Sequence, residues 1–125
     1  MIYSILYVAI GGAIGSVARY LISRATQNAF ATTLPVATLI VNVLGCFIIG
    51  MLYAIFARHT NIDANLRLML TVGFCGGFTT FSTFMNENFN LINSGNILTC
   101  ALYIGISVAL GFVGVWGGAI IGNRL

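Results

Sequence analysis

The sequence predicts an all-α integral membrane protein whose subunit has four transmembrane helices. Of its 125 residues, 59% are hydrophobic and only 6% are charged, whereas soluble domains carry about 25% charged residues. The mean hydropathy is +1.03. Four apolar stretches are each long enough to cross a hydrocarbon core of roughly 30 Å. We predict a single domain over residues 1–125, with spans at about 3–22, 36–57, 66–91 and 97–121.

The ends of these spans carry the expected signals. No basic segment precedes the first span, as a cleavable signal peptide would require, so we interpret that span as a permanent helix. Pro35 stands directly before the second span, where a proline suits a helix N-terminus. Polar breaks at residues 58–65 and 93–96 separate the later spans. Little of the chain is therefore expected outside the membrane.

Small residues recur at helical spacing in two of the spans. Gly11 and Gly15 form a small-xxx-small pair in the first, and Gly114, Gly118 and Gly122 repeat every four residues in the fourth. Faces of this kind let transmembrane helices approach closely. They predict tight helix packing and by themselves indicate no function.

The charged residues exclude several classes of function. No acid, histidine or lysine lies in the middle of a predicted span: Glu87 is near the end of the third, and Asp63 and His59 are in a loop. Proton-coupled exporters use an intramembrane carboxylate, cation pores favour acidic rings, and hydrolysis needs a base beside its nucleophile. Five arginines are too few for a nucleic-acid surface. Without a nucleotide motif either, the sequence argues against an enzyme.

The three cysteines, Cys46, Cys75 and Cys100, all fall in apolar spans without CxxC spacing. That pattern predicts small packing residues and not a metal or redox site.

What remains inside the spans is a set of hydroxyl groups, one carboxamide and one phenol. The members are Thr38 and Asn42 in the second span, Thr79, Thr80, Ser82 and Thr83 in the third, and Thr99, Tyr103 and Ser107 in the fourth. All can donate hydrogen bonds to an anion, and the edges of phenylalanine rings carry partial positive charge. The alternative is that the hydroxyls bond to carbonyls one turn back and only bend their helices.

Arg19 also has two interpretations, because it is three residues before the predicted end of the first span. Its guanidinium can snorkel to the interface or supply positive potential in an aqueous vestibule.

Three segments stand in order along the chain: GGAIGSVARY (11–20), TLIVNVLGCFIIG (38–50) and GFCGGFTTFSTF (73–84). With them, the sequence resembles the Fluc (CrcB) family of small bacterial fluoride channels over essentially its whole length. The resemblance implies passive fluoride efflux across the bacterial cytoplasmic membrane, which relieves fluoride toxicity. It also implies an antiparallel, dual-topology homodimer in membrane lipid, with two narrow pores lined by both subunits.

The resemblance assigns roles to individual residues. It implies a third helix broken at its centre, where the carbonyls of Gly76 and Thr79 from both subunits hold a structural sodium ion. Two glycines in that stretch also permit a non-helical turn, so we expect the break at 76–79 and a resumed helix over 81–84. Arg19 is assigned to the vestibule. The pore residues implied are Asn42, Phe81, Phe84, Thr38, Thr83, Tyr103, Ser107 and Ser82.

The balance of charge between the two membrane faces agrees with dual insertion. Arg58, Arg67 and Arg124 share one face, and Arg24, with Arg19, is nearer the other. The positive-inside rule therefore gives a slight preference of orientation at most.

Two other classes of protein share features with this sequence. A small multidrug-type proton antiporter matches in length, four spans and dual topology, but its first helix needs a carboxylate that this chain lacks. A non-conducting membrane assembly subunit predicts that the pure protein passes no ions.

Overall fold

The computed structural model describes residues 1–29 and 34–125, and its long segments are all helical. Four of them are long and apolar enough to cross a membrane: Ile2–Ala29, Val36–Arg58, Ala64–Asn93 and Ile97–Gly122. The predicted all-α fold with four spans is thus confirmed. The first helix continues seven residues past its predicted end at residue 22, and the other ends agree with the prediction to within two residues.

The third span is composite, and the other three are single helices. We label the single helices α1 (Ile2–Ala29), α2 (Val36–Arg58) and α6 (Ile97–Gly122). The third span consists of α3 (Ala64–Leu68), a π-helical segment (Met69–Cys75), α4 (Gly76–Phe78) and α5 (Ser82–Asn93). Asp63 caps the N-terminus of α3, because its carboxylate accepts hydrogen bonds from the amides of Asn65 and Leu66.

Glycine faces set the packing of the helices. The Cβ of any larger residue at Gly11 would fall on the carbonyl oxygen of Met69, and at Gly15 on that of Phe74. Helix α1 therefore lies directly against the backbone of the third span. Gly114, Gly118 and Gly122 bring α6 equally close to the backbone of α2. Both predicted small-residue faces are confirmed as sites of close helix approach.

The break in the third span lies later than predicted. Gly76 is helical, with φ −64° and ψ −37°, and the chain leaves the helix only at Thr79, with φ −90° and ψ 160°. The helix resumes at Ser82. The placement at 76–79 was correct only for Thr79, because Gly77 serves packing within the helix: a Cβ there would be 2.7 Å from the carbonyl oxygen of Gly12 on α1.

Candidate functional site

A single carboxamide from α2 holds the break in the third span. Nδ2 of Asn42 donates to the carbonyl of Thr80 at 3.1 Å, and the amide of Thr80 donates to Oδ1 of Asn42 at 2.8 Å. Both backbone groups of Thr80 are thereby paired, although no helix supplies their partners. Unpaired backbone groups at membrane depth cost several kcal/mol each, so this pair of bonds stabilises the non-helical conformation.

The break also deprives two carbonyl groups of their helical donors. In a continuous α-helix the amide of Thr80 would bond to Gly76, and that of Thr83 to Thr79. Here the first amide donates to Asn42, and the second donates to the hydroxyl of Thr80 at 3.3 Å. A Cβ at Gly76 would meet nothing within 4 Å. The backbone at Gly76 can therefore be approached from outside the subunit.

Arg19 lies beside the same break. Its Nε donates to the carbonyl of Gly77 at 3.0 Å, and its side chain is half-buried. Because α1 runs on to Ala29, Arg19 is ten residues before the end of its helix and not three, as predicted. The contact favours an interior role over snorkelling, and it places positive charge next to the freed carbonyls.

The carboxylate of Glu87, predicted to lie near the end of the third span, accepts hydrogen bonds from two of the predicted pore residues. The hydroxyl of Thr38 donates to Oε2 of Glu87 at 2.7 Å, and that of Tyr103 donates to Oε1 at 2.9 Å. Both donors are buried. Glu87 lies six residues before the end of α5 and joins α2, α5 and α6. Its spacing of three residues from Phe84 is the signal that would have placed it on the same helix face.

The two predicted pore phenylalanines have different surroundings. Phe84 is 8% exposed and packs edge-on against Tyr103, with ring centroids 5.0 Å apart and an interplanar angle of 67°. Phe81 is 73% exposed, and its ring centroid is 6.2 Å from that of Phe84. The Phe84 ring is thus fixed in the core, whereas the Phe81 ring is available to a molecule outside the subunit.

An open groove of about 500 Å³ between α2, the third span and α6 is lined by several of these residues. Its lining includes Asn42, Thr71, Cys75, Gly76, Thr79, Thr80, Phe81, Phe84 and Ser107. Within the described part of the chain, the hydroxyl of Ser107 is buried and has no hydrogen-bond partner. Such a group has capacity to donate to a ligand in the groove.

Four of the eight predicted pore residues do not line this groove: Thr38 and Tyr103, which bond to Glu87, and Ser82 and Thr83. Ser82 and Thr83 lie exposed on the first turn of α5. Thr80, which was assigned no pore role, contributes its backbone to Asn42 and its hydroxyl to the start of α5. Sequence reasoning missed Thr80 because its role depends on a backbone turn and not on its side-chain type.

The amino-acid sequence is also similar to those of known proteins. The family described as "CrcB-like protein, Camphor Resistance (CrcB)" matches residues 6–119. The chain belongs to the CrcB-like family. The match spans all four helices, and it confirms the resemblance found in the sequence motifs.

Individual members of the CrcB-like family are similar over nearly the whole chain. A protein of Flavobacterium psychrophilum named "Fluoride-specific ion channel FluC" is 42% identical over 98% of this chain and 98% of its own length. A protein of the same name from Maridesulfovibrio salexigens is 44% identical over 96% of this chain and 95% of its own length. Another from Phocaeicola vulgatus is 48% identical over 90% of this chain and 92% of its own length. The prediction of a multi-pass bacterial membrane protein that is not an enzyme is confirmed by these relatives.

Proposed function

We propose that this protein is a fluoride-selective channel that lets fluoride leave the cell passively and so relieves fluoride toxicity. The observation that carries the proposal is the similarity, over almost the entire chain, to proteins named as fluoride-specific ion channels. The groove adds physical support. It joins the free hydroxyl of Ser107, the exposed ring of Phe81 and the carboxamide of Asn42.

Fluoride is small and strongly hydrated, so it needs close hydrogen-bond donors in exchange for water. Hydroxyl groups, a carboxamide and ring edges supply them without a fixed positive charge that would trap the ion. The larger chloride ion gains less from each donor. The hydroxyls of Thr38 and Tyr103 are bound to the carboxylate of Glu87, so they can donate to an anion only after leaving it.

We further propose that two copies pair antiparallel across the groove and form two pores. The exposed ring of Phe81 and the open backbone of Gly76 support this arrangement, because a second copy would cover both. An antiparallel partner also agrees with the slight charge bias between the two faces, which permits insertion in either orientation.

The carbonyls of Gly76 and Thr79 are the proposed ligands of a sodium ion shared by the two subunits. Both have lost their helical donors, and freed carbonyls at membrane depth need a partner. The described residues contain no group of three or more histidine, cysteine or acidic side chains that could hold a metal. Carbonyl ligands alone suit a weakly held monovalent cation. When bound, it adds positive charge near the anion path.

One observation favours a second candidate, proton-coupled antiport. Glu87 lies inside a membrane-spanning helix and contacts two other spans. Intramembrane carboxylates commonly carry protons in transporters. Antiport would require flux to depend on a proton gradient, whereas a channel requires only the gradient of the ion.

Liposomes that contain the purified protein test these possibilities directly. We expect fluoride efflux, measured with a fluoride electrode, to be rapid with or without a proton gradient, and chloride efflux to remain near that of empty liposomes. Flux that needs a proton gradient would establish antiport instead. Absence of fluoride flux would leave the non-conducting subunit as the better interpretation.

Sodium withdrawal tests the proposed central ion. We expect fluoride efflux to fall several-fold when the protein is purified and reconstituted in N-methylglucamine buffer, and to recover when sodium is restored. Potassium at the same ionic strength is the control for unspecific salt effects. Equal flux in all three buffers would contradict a functional sodium site.

Substitution of Phe81 and Phe84 distinguishes an effect on fluoride flux from an effect on the stability of the core. We expect Phe81→Ile and Phe84→Ile each to reduce fluoride flux by about 2- to 10-fold, if a ring edge facing an anion contributes as much as it does in an aromatic pair, roughly 0.5–1.5 kcal/mol. Only Phe84→Ile should also lower the melting temperature, because Phe84 is buried against Tyr103. The matched control is Phe112→Ile on α6, whose ring is exposed but outside the groove. A similar loss of flux in the control would refute a specific role for the pair.

A further inference from the structure

Three arginines lie at the same end of the helix bundle. Arg58 ends α2, Arg67 lies in α3, and Arg124 follows α6. A contact of 3.4 Å from Nε2 of His59 to the carbonyl of Leu125 brings the ends of α2 and α6 together. This end thus holds three of the chain's five arginines and one of its two acids. The net side-chain charge there is +2.

The acid at this end is already engaged. Oδ2 of Asp63 accepts the amides of Asn65 and Leu66 at 3.1 and 3.2 Å, which caps α3. The carboxylate therefore serves the helix start and is not bonded to the arginines. The positive charge remains available to an external anion.

Arg67 is held in position for such an anion. Its Cζ lies 5.5 Å from the centre of the Phe56 ring, and its Nη2 donates to the carbonyl of Thr60 at 2.9 Å. Its Nε is buried and, within the described residues, has no acceptor. A guanidinium has five N–H donors, so this one has fewer acceptors than it can bind. A planar guanidinium fixed on an aromatic ring is well suited to a phosphate group.

The neighbouring aromatic residues connect this site with the lipid. Tyr53 is 58% exposed on α2, and its ring meets that of Phe56 edge-on, with centroids 6.4 Å apart. Exposed tyrosines near the ends of transmembrane helices lie at the level of the lipid headgroups. Phe56 therefore contacts both the exposed Tyr53 on the outer surface of α2 and Arg67 at the basic end of the bundle.

We propose that Arg67, with Arg58 and Arg124, binds the phosphodiester of an anionic membrane phospholipid. Basic pockets between transmembrane helices are suited to acidic headgroups, and each arginine near the surface adds to the attraction. The bound headgroup supplies acceptors to the Nη groups of Arg67 and links the 58–65 loop to the third span. This site is separate from the groove and does not depend on the ion that the protein conducts.

The test is a lipid titration of the full-length protein in neutral detergent, followed by thermal melting. We expect short-chain phosphatidylglycerol to raise the melting temperature at concentrations where phosphatidylcholine does not. In Arg67→Gln the half-effective concentration should rise about fivefold. The double variant R58Q/R124Q should show a larger rise. The matched control is Arg24→Gln near the opposite end of the bundle, which should titrate like the wild type.

Each result decides the proposal. Equal effects of the two lipids would overturn it, as would a loss in Arg24→Gln as large as that in Arg67→Gln. Inorganic phosphate at matched ionic strength separates the two sources of the anion, and protection equal to that of the lipid would overturn the lipid assignment. If Arg67→Gln fails to fold, the R58Q/R124Q variant decides, because both of its altered side chains are exposed.

Discussion

Replacing Asn42 by aspartate is expected to reduce fluoride flux by about 100-fold or more. The new carboxylate cannot donate to the carbonyl of Thr80, so it loses the 3.1 Å bond and places negative charge against that oxygen. An added barrier of about 1.4 kcal/mol corresponds to a factor of ten in rate, so a barrier higher by roughly 3 kcal/mol accounts for the expected loss. The same charge also repels an anion in the groove. Both effects act in the same direction.

The measurement is the initial rate of fluoride efflux from liposomes at equal protein content. The matched control is Asn90→Asp, the same change on an exposed position of α5, which should retain wild-type flux. Size-exclusion chromatography distinguishes a folded but closed variant from a misfolded one. Normal conduction by Asn42→Asp would mean that Asn42 neither lines the pore nor needs to hold the break.

The second large effect concerns the contact between α6 and α2. We expect Gly118→Ala to destabilise the protein by about 1–3 kcal/mol, the typical cost of overpacking. Its Cβ would fall on the carbonyl oxygen of Phe47, and helix backbone cannot move aside as a flexible side chain can. Several degrees should be lost from the melting temperature, measured by circular dichroism in detergent.

The neighbouring glycine provides the control for this prediction. A Cβ at Gly117 meets nothing within 4 Å, and alanine is favoured over glycine in a helix by up to about 1 kcal/mol. Gly117→Ala is therefore expected to melt at the same temperature as the wild type or slightly above. Equal losses in the two variants would show that the close approach of α6 to α2 is not what Gly118 provides.

The four spans could be predicted from hydropathy because burial in lipid selects apolar residues along the whole length of a helix. The true end of α1 could not, since hydropathy marks where the membrane ends and not where the helix does. The helix continues through Thr26, whose hydroxyl bonds to the carbonyl of Ile22 at 2.8 Å. The longer helix leaves the depth of Arg19 in the membrane unchanged, and it is the contact of its Nε with the carbonyl of Gly77 that favours an interior role.

The candidate site was predictable in its residue types and less so in its contacts. A break near the glycines was expected from local flexibility, but a distant carboxamide, Asn42, determines where the helix opens. The contacts of Glu87 were not predicted because the prediction used only its distance from the end of the span. The face of the helix that it shares with Phe84 was not taken into account. Both errors concern contacts between elements far apart in sequence, which no local pattern encodes.

The π-helical segment Met69–Cys75 acts as a phase adjustment for everything that follows it. A π-helical turn contains more residues than an α-helical turn, and each residue of an α-helix advances the chain by about 100° of rotation. The additional residue per turn therefore sets the rotational angle, about the axis of the third span, at which Gly76, Gly77 and Thr79 lie. Removing one residue from 69–75 while the segment stays π-helical would keep every side chain of the break but turn its carbonyls away from Arg19 and Asn42. In this span the length of the segment is as much a functional property as its composition.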